Sequence, residues 1–242
     1  MKKYTLLLLF GVLLSSYAET GDEVLEKVEE TLLAPKDRIV VAKLVLVDKN
    51  NKKRIRKIKM WQKGKEKRLV KFLEPADVKG VGLLVPSENE LYLWMPAFSK
   101  IRRIASHVKH QSFMGTDFSY EDIGETGYKG KYKAKVEKEE KKYYVLRLTP
   151  KKKDVYYGML RMWVSKESYL PIKVEFYSKK KKLLKVMEAQ KIEKIDGFWT
   201  HVKIEMRNIQ TGHKTIMELC EINYNTGIKN KLFTKSYLKR AR

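Results

Sequence analysis

Cysteine is all but absent: Cys220 stands alone in 242 residues. No intramolecular disulfide can form, so the fold must rest on a packed core, and a chain of this size buries roughly 70–75% of its extended surface. Cys220 falls in the apolar-rich stretch Thr215 to Ile222, which predicts a buried structural thiol. Long apolar runs are missing too. Thr5 to Leu14 is the longest, about half of what a ~30 Å bilayer requires. With Lys2 and Lys3 before it and Ser16-Tyr17-Ala18 after it, the run has the layout of a signal peptide over residues 1–18, with cleavage after Ala18 and export of the mature chain. Glu19 rather than a cysteine follows the cut, so no lipid-modified N-terminus is expected.

Catalytic signatures are also missing. There is no G-x-S-x-G elbow and no Walker glycine run. Of the four histidines, His107 and His110 are close in sequence, but no carboxylate or cysteine is placed to complete a zinc site, so no metal and no cofactor are expected. Asp117, Glu121 and Asp122 are read as partners of Arg102 and Arg103, with Thr116 or Asp117 capping a short helix, rather than as acid–base groups. The chain is therefore not read as an enzyme; an exported hydrolase would need a nucleophile and base that the sequence does not offer.

Basic charge is present in excess, at +24. Such a balance attracts anionic surfaces, phospholipid head groups among them. Much of the lysine lies in turns such as Lys151 to Lys153 and Lys179 to Lys182, where it blocks edge pairing. Aromatics interleave with basic residues at Tyr143, Tyr144, Tyr156, Tyr157 and Trp163; in a β protein this is cross-strand packing, and no nucleic-acid partner is expected.

The periodicity changes once. Thr20 and Glu23 form a capping box ahead of Val24, Val28 and Leu32, and Pro35 ends the pattern, so a helix is predicted from Gly21 to Leu33. From Arg38 onward apolar and charged residues alternate. Ile172, Val174 and Phe176 oppose Lys173 and Glu175, and Val202, Ile204 and Met206 oppose Lys203 and Glu205. This is the pattern of antiparallel strands with one solvated face. Counting the runs from Ile39 to Ile222 predicts about eleven strands in one strongly curved antiparallel sheet. The fold class is mainly β (α+β): an unclosed half-barrel covered by short helices acting as a lid. No repeat or linker divides residues 19–242, which are read as one domain. Phe233, Tyr237 and Leu238 predict a terminal helix within Leu232 to Arg242.

The stretch from Gly80 to Gly124 is the most distinctive. Val81 to Val85 and Leu91 to Met95 flank the turn residues Pro86 to Glu90 and read as a hairpin. Ser112-Phe113-Met114-Gly115-Thr116-Asp117-Phe118 follows, an apolar loop hinged on Gly115. Loops lie at the surface, so Phe113, Met114 and Phe118 must fold back over something apolar. The strings P-x-F-x-K-I-R-R-I-A and S-F-M-G-T-D-F-S-Y-E-D-I resemble the periplasmic outer-membrane lipoprotein-sorting-like proteins, of the superfamily that includes the lipoprotein carrier chaperone. Weaker similarity continues through M-W-V-S-K-E-S-Y-L-P-I-K-V-E-F-Y, I-D-G-F-W-T and L-F-T-K-S-Y-L.

The resemblance implies a periplasmic carrier that holds lipid or lipoprotein acyl chains non-covalently, with an inner-membrane exporter of the resistance-nodulation type as a partner. Alternation nominates a cavity wall of Leu91, Leu93, Leu146, Leu148, Met162, Val164, Ile172, Val174, Phe176, Val202, Ile204 and Met206. Phe113, Met114, Gly115 and Phe118 would form the lid, and Arg102, Arg103, Asp117 and Asp122 would position it. The alternative is an exported basic module docking on anionic lipid or an envelope complex, with no internal ligand.

Overall fold

A helix needs its first N–H groups satisfied, and Thr20 supplies this for α1, Gly21–Leu33. Its hydroxyl accepts from the Glu23 N–H at 3.3 Å, and the Glu23 carboxylate accepts from the Thr20 N–H at 2.7 Å. One face of α1 buries Val24, Leu25 and Val28 completely. The computed structural model describes residues 19–87, 90–124 and 127–240; the leader expected over residues 1–18 lies outside them.

The alternating stretches form thirteen strands: β1 Asp37–Val47, β2 Lys53–Lys63, β3 Lys67–Glu74, β4 Gly82–Val85, β5 Tyr92–Met95, β6 Lys100–Arg103, β7 Tyr132–Glu139, β8 Tyr143–Pro150, β9 Met159–Ser165, β10 Pro171–Tyr177, β11 Leu183–Ile195, β12 Phe198–Asn208 and β13 Lys214–Tyr224. They make one antiparallel sheet in the order β6-β5-β4-β3-β2-β1-β13-β12-β11-β10-β9-β8-β7. The count exceeds the expected eleven, and two of the strands bury few side chains. β6 reads Lys-Ile-Arg-Arg, and β7 buries only Tyr132 and Ala134.

The order has one decisive consequence. β1 and β13 pair in the middle, so the free edges are β6 and β7, and the sheet does not close. The chain must travel from one edge to the other between residues 104 and 131. It does so across the concave face.

Three apolar clusters follow from this path. α1 packs on the half of the concave face built by β7 to β12, with Leu146, Leu148, Met162, Val164 and Val174 beneath it. The crossing segment packs on the other half, where Phe113 joins Leu44, Ile58, Val70, Phe72, Leu83, Leu91 and Leu93. On the convex face, Ile228, Phe233 and Leu238 cover Trp61, Leu69, Leu84 and Tyr92. The expected terminal helix is thus shorter, α3 Lys235–Leu238, preceded by a single 3₁₀ turn at Asn230–Leu232. Gly82 lets it approach: a Cβ there would lie 2.7 Å from Leu238 Cδ1.

Cys220 corrects another expectation, because it is exposed. Along β13 the partners of Val41 and Ala42 are Glu221 and Leu219, so Cys220 is the extra residue of a bulge. The bulge resets the pleat and turns the thiol away from the core.

Candidate functional site

The crossing segment is a small closed structure in its own right. Met114 and Gly115 take consecutive left-handed conformations, φ 52° and 75°, which reverse the chain. The Phe113 N–H donates to the Phe118 carbonyl at 2.8 Å, and the Thr116 N–H donates to the Phe113 carbonyl at 3.0 Å. Phe113 is 1% exposed, its ring 5.4 Å from Phe72 and 5.5 Å from Tyr120. Phe118 reaches the other core half, under α1. One short loop therefore clamps both halves of the concave face.

Polar groups from distant strands hold it there. The buried Arg56 guanidinium, over the Phe72 ring, donates to the Met114 carbonyl. Arg68 donates to the Ile123 carbonyl. Asp117 accepts from the Thr215 hydroxyl at 2.7 Å and sits 2.6 Å from His213 Nδ1, while its N–H donates to Thr215 Oγ1 at 3.0 Å. Asp122 pairs with Lys185 and accepts from the Tyr157 hydroxyl at 3.2 Å. Burial, reinforced by the Asp122 charge, pushes the Tyr157 phenol well up.

Arg102 and Arg103 are not the partners of Asp117 and Asp122. Both are exposed on β6, opposite Leu93 and Tyr92. The helix cap is also different: α2, Tyr120–Gly124, begins with Ser119 Oγ accepting from the Asp122 N–H at 3.1 Å, and Asp122 accepting from the Ser119 N–H at 2.7 Å. Sequence proximity suggested Arg102 and Arg103; the sheet order brings β2, β3, β11 and β13 under the loop instead.

Between the loop, α1 and the sheet lies a cavity of about 300 Å³. Its floor is Leu44, Ile58, Met60 and Val70 from β1 to β3, and Leu160, Phe176, Met187, Ile204, Met206 and Met217 from β9 to β13. Its roof is Leu32, Phe113, Thr116, Phe118 and Ile123. Strands from both halves of the sheet line one space, as a curved, unclosed sheet allows.

Of the nominated wall, Phe176, Ile204 and Met206 face this space, together with Phe113, Phe118 and Asp122. Leu91 and Leu93 are packed under the loop, and Leu146, Leu148, Met162, Val164 and Val174 under α1. They share the apolar face but are covered by solid core. Ile172 and Val202 sit at register shifts, between Pro171 and Lys173 and between His201 and Lys203. The shifts bring Pro171 and His201 into the lining in their place. Met114 is half-buried beside the lining. The overlooked residues Ile58 and Met60 left a trace in the sequence: Arg56 shares their alternation, an arginine on an apolar face, and it is one of the residues that hold the loop.

The polar groups of the cavity largely have protein partners. Glu121 pairs with Lys131 at 2.6 Å, the Thr116 hydroxyl reaches the Phe113 carbonyl at 2.8 Å, and His201 Nε2 lies 2.8 Å from the Pro171 carbonyl. Burial pushes the His201 pKa down. Such a space suits an apolar guest better than bond-making chemistry. His107 and His110 lie outside it, in a second recess of about 410 Å³ with Lys109, Lys152 and Lys179, where His110 stacks on Tyr156 at 4.5 Å. Among the described residues no group of three or more His, Cys, Asp or Glu is placed to hold a metal, and no helix is long and apolar enough to cross a membrane.

An open antiparallel half-barrel with a covered apolar hollow defines a carrier-type fold. Known structures share it closely. An outer membrane lipoprotein-sorting protein domain from Vibrio parahaemolyticus is 28% identical with a TM-score of 0.83, the alignment covering 91% of this chain and 98% of that one. A DUF1329 family protein from Desulfovibrio piger is 28% identical with a TM-score of 0.84, over 90% and 97% of the two chains. A LolA superfamily protein from Nitrosomonas europaea, 24% identical with a TM-score of 0.77 over 91% and 100%, shares the fold. Residues 64–240 match the model of a family described as uncharacterized-protein-like. No curated protein matches the chain. The chain belongs to the outer-membrane lipoprotein-sorting-like family.

Proposed function

We propose that this protein is an exported, non-enzymatic carrier that takes up an acyl chain of a lipid or lipoprotein and moves it through the periplasm between envelope membranes. The observation that carries the reading is the cavity itself: an apolar hollow roofed by a segment that the sheet order sends across its mouth. The family membership and the lipoprotein-sorting relative support it. Burying hydrocarbon is favourable by about 0.8 kcal/mol per CH₂, so even one chain supplies ample drive.

At about 300 Å³ the cavity sits at the small end of ligand sites. It suits a single chain. A bulkier anchor requires Phe113 and Met114 to lift, with the turn at Gly115 as the hinge, while the sheet stays folded. Residues 1–18 act as the export signal in this account, and an inner-membrane exporter of the resistance-nodulation type delivers the cargo. The basic exterior gives peripheral contact with anionic membrane.

Native mass spectrometry of protein purified from its own envelope, with lipid extraction, tests the proposal. A co-purifying acylated molecule is the expected result, together with acyl-probe affinity that rises with chain length and hardly responds to salt. Protein free of lipid, with steep salt dependence of vesicle binding and no chain-length effect, would favour the basic docking module instead.

A further inference from the structure

Among the described residues, the Arg38 guanidinium on the cavity wall has no carboxylate to pair with. Arg38 on β1 is surrounded by protein, yet keeps surface facing the cavity. Its hydrogen-bond partner is the neutral Gln62, whose carbonyl oxygen accepts from Nε at 3.0 Å and from Nη2 at 2.7 Å. The same oxygen also accepts from Arg68 at 2.9 Å. The two carboxylates that line the cavity are engaged elsewhere, Glu121 with Lys131 and Asp122 with Lys185. His201 stands near Arg38 and is another nitrogen base, not an acid. Among the described residues Arg38 has no acidic partner, and its Nη1 edge is unused.

A guanidinium stays protonated when buried, so it cannot escape the cost by losing its charge. Burial accordingly pushes its pKa down without neutralising it. Such a charge is expensive unless paired, and an apolar residue of similar size would be favoured if only the empty fold mattered. The free Nη edge presents parallel donors of the kind that match a carboxylate or phosphate.

We infer that Arg38 is the anchor for the anionic head, carboxylate or phosphate, of a single-chain amphiphile whose tail runs along the apolar floor. Leu44 lies on the same face of β1, about 20 Å further along at 3.3–3.4 Å per residue, and Met60 and Met217 line the space with it. The head sits at the Arg38 end and the tail points toward Leu44. The inference rests on the carrier reading and narrows its cargo.

Titration calorimetry with palmitate, palmitoyl-lysophosphatidate and hexadecanol, three ligands of one chain length, tests it on the purified protein. At least one acid is expected to bind tenfold or more tighter than the alcohol, which is about 1.4 kcal/mol. The tighter acid identifies the head as carboxylate or phosphate. Arg38→Met should abolish the gap without weakening hexadecanol, and its ligand-free thermal midpoint should hold or rise. Arg38→Lys, which keeps the charge but not the fork, should retain part of the gap. Equal binding of acids and alcohol, a gap that survives Arg38→Met, or a marked fall in the ligand-free midpoint of that variant would overturn the inference. Binding of hexadecanol with no preference would sink only the head-group anchor; binding of none of the three would sink the carrier reading with it.

Discussion

Replacing Phe113 with alanine removes a ring that is 1% exposed and lies between Phe72 and Tyr120. In a continuous core such a truncation costs about 3–5 kcal/mol. Phe113 belongs, however, to a segment that joins the two sheet edges without being a strand of the sheet. If that segment opens as a unit, the loss falls on the opening step, and its effect on global stability is capped by the free energy of closure. At about 1.4 kcal/mol per factor of ten, the lower figure raises the open population on the order of 10²-fold. Hydrogen exchange reads this directly. The amides of Phe113 and Thr116, bonded within the loop, should exchange faster by that factor, while those pairing β1 with β13 should not change. Acyl-probe binding should weaken in parallel. Equal loss of protection in the loop and in the central strands would show that Phe113 is ordinary core, and would refute the lid.

Asp122 and Lys185 form a buried pair, with side chains 11% and 8% exposed. Asp122→Ala should cost about 3–5 kcal/mol in denaturant unfolding, and Asp122→Ala with Lys185→Met should recover most of it, since the stranded charge is gone; an additive double variant would contradict this. Asp37 accepts from the Thr226 N–H and hydroxyl, at 2.7 and 2.9 Å, and from the Gly227 and Ile228 N–H groups, at 3.0 and 3.1 Å. Burial alone would raise its pKa, but these bonds outweigh it and hold the carboxyl below its usual range. Because the unfolded state then binds the proton more readily, this stability is present above pH about 4 and is lost as pH falls through the folded pKa. Asp37→Asn should be less stable by roughly 1–3 kcal/mol at pH 7, with the deficit shrinking on acid titration; a constant deficit would exclude the linkage. Cys220 should react with a thiol reagent in the native protein at the rate of an exposed thiol. Reaction only after denaturant is added would restore the buried assignment.

Local chemistry carries some conclusions without help from the tertiary structure. The Thr20–Glu23 box and the spacing of Val24 and Val28 suffice for α1, because capping and a one-sided apolar face act within a few residues. Alternation likewise suffices for most of the strands, for their antiparallel, one-faced character, and for the mainly β class, because the pleat repeats every second residue. The motif strings around Gly115 were enough to suggest the family. What alternation cannot tell is which stretch of an apolar face is packed and which is hollow. Leu148 and Phe176 obey the same rule, yet one lies under α1 and the other lines the cavity. Bulges at Ile172, Val202 and Cys220 shift the phase by a single residue that no local pattern announces. The partners of Asp117 and Asp122 come from β11, from β13 and His213 just before it, and from Tyr157 ahead of β9, not from neighbouring Arg102 and Arg103. The partners and the hollow follow from strand order: β1 joins β13, the free edges fall at β6 and β7, and the segment carrying Phe113 and Phe118, between β6 and β7 in the chain, lies over the hollow.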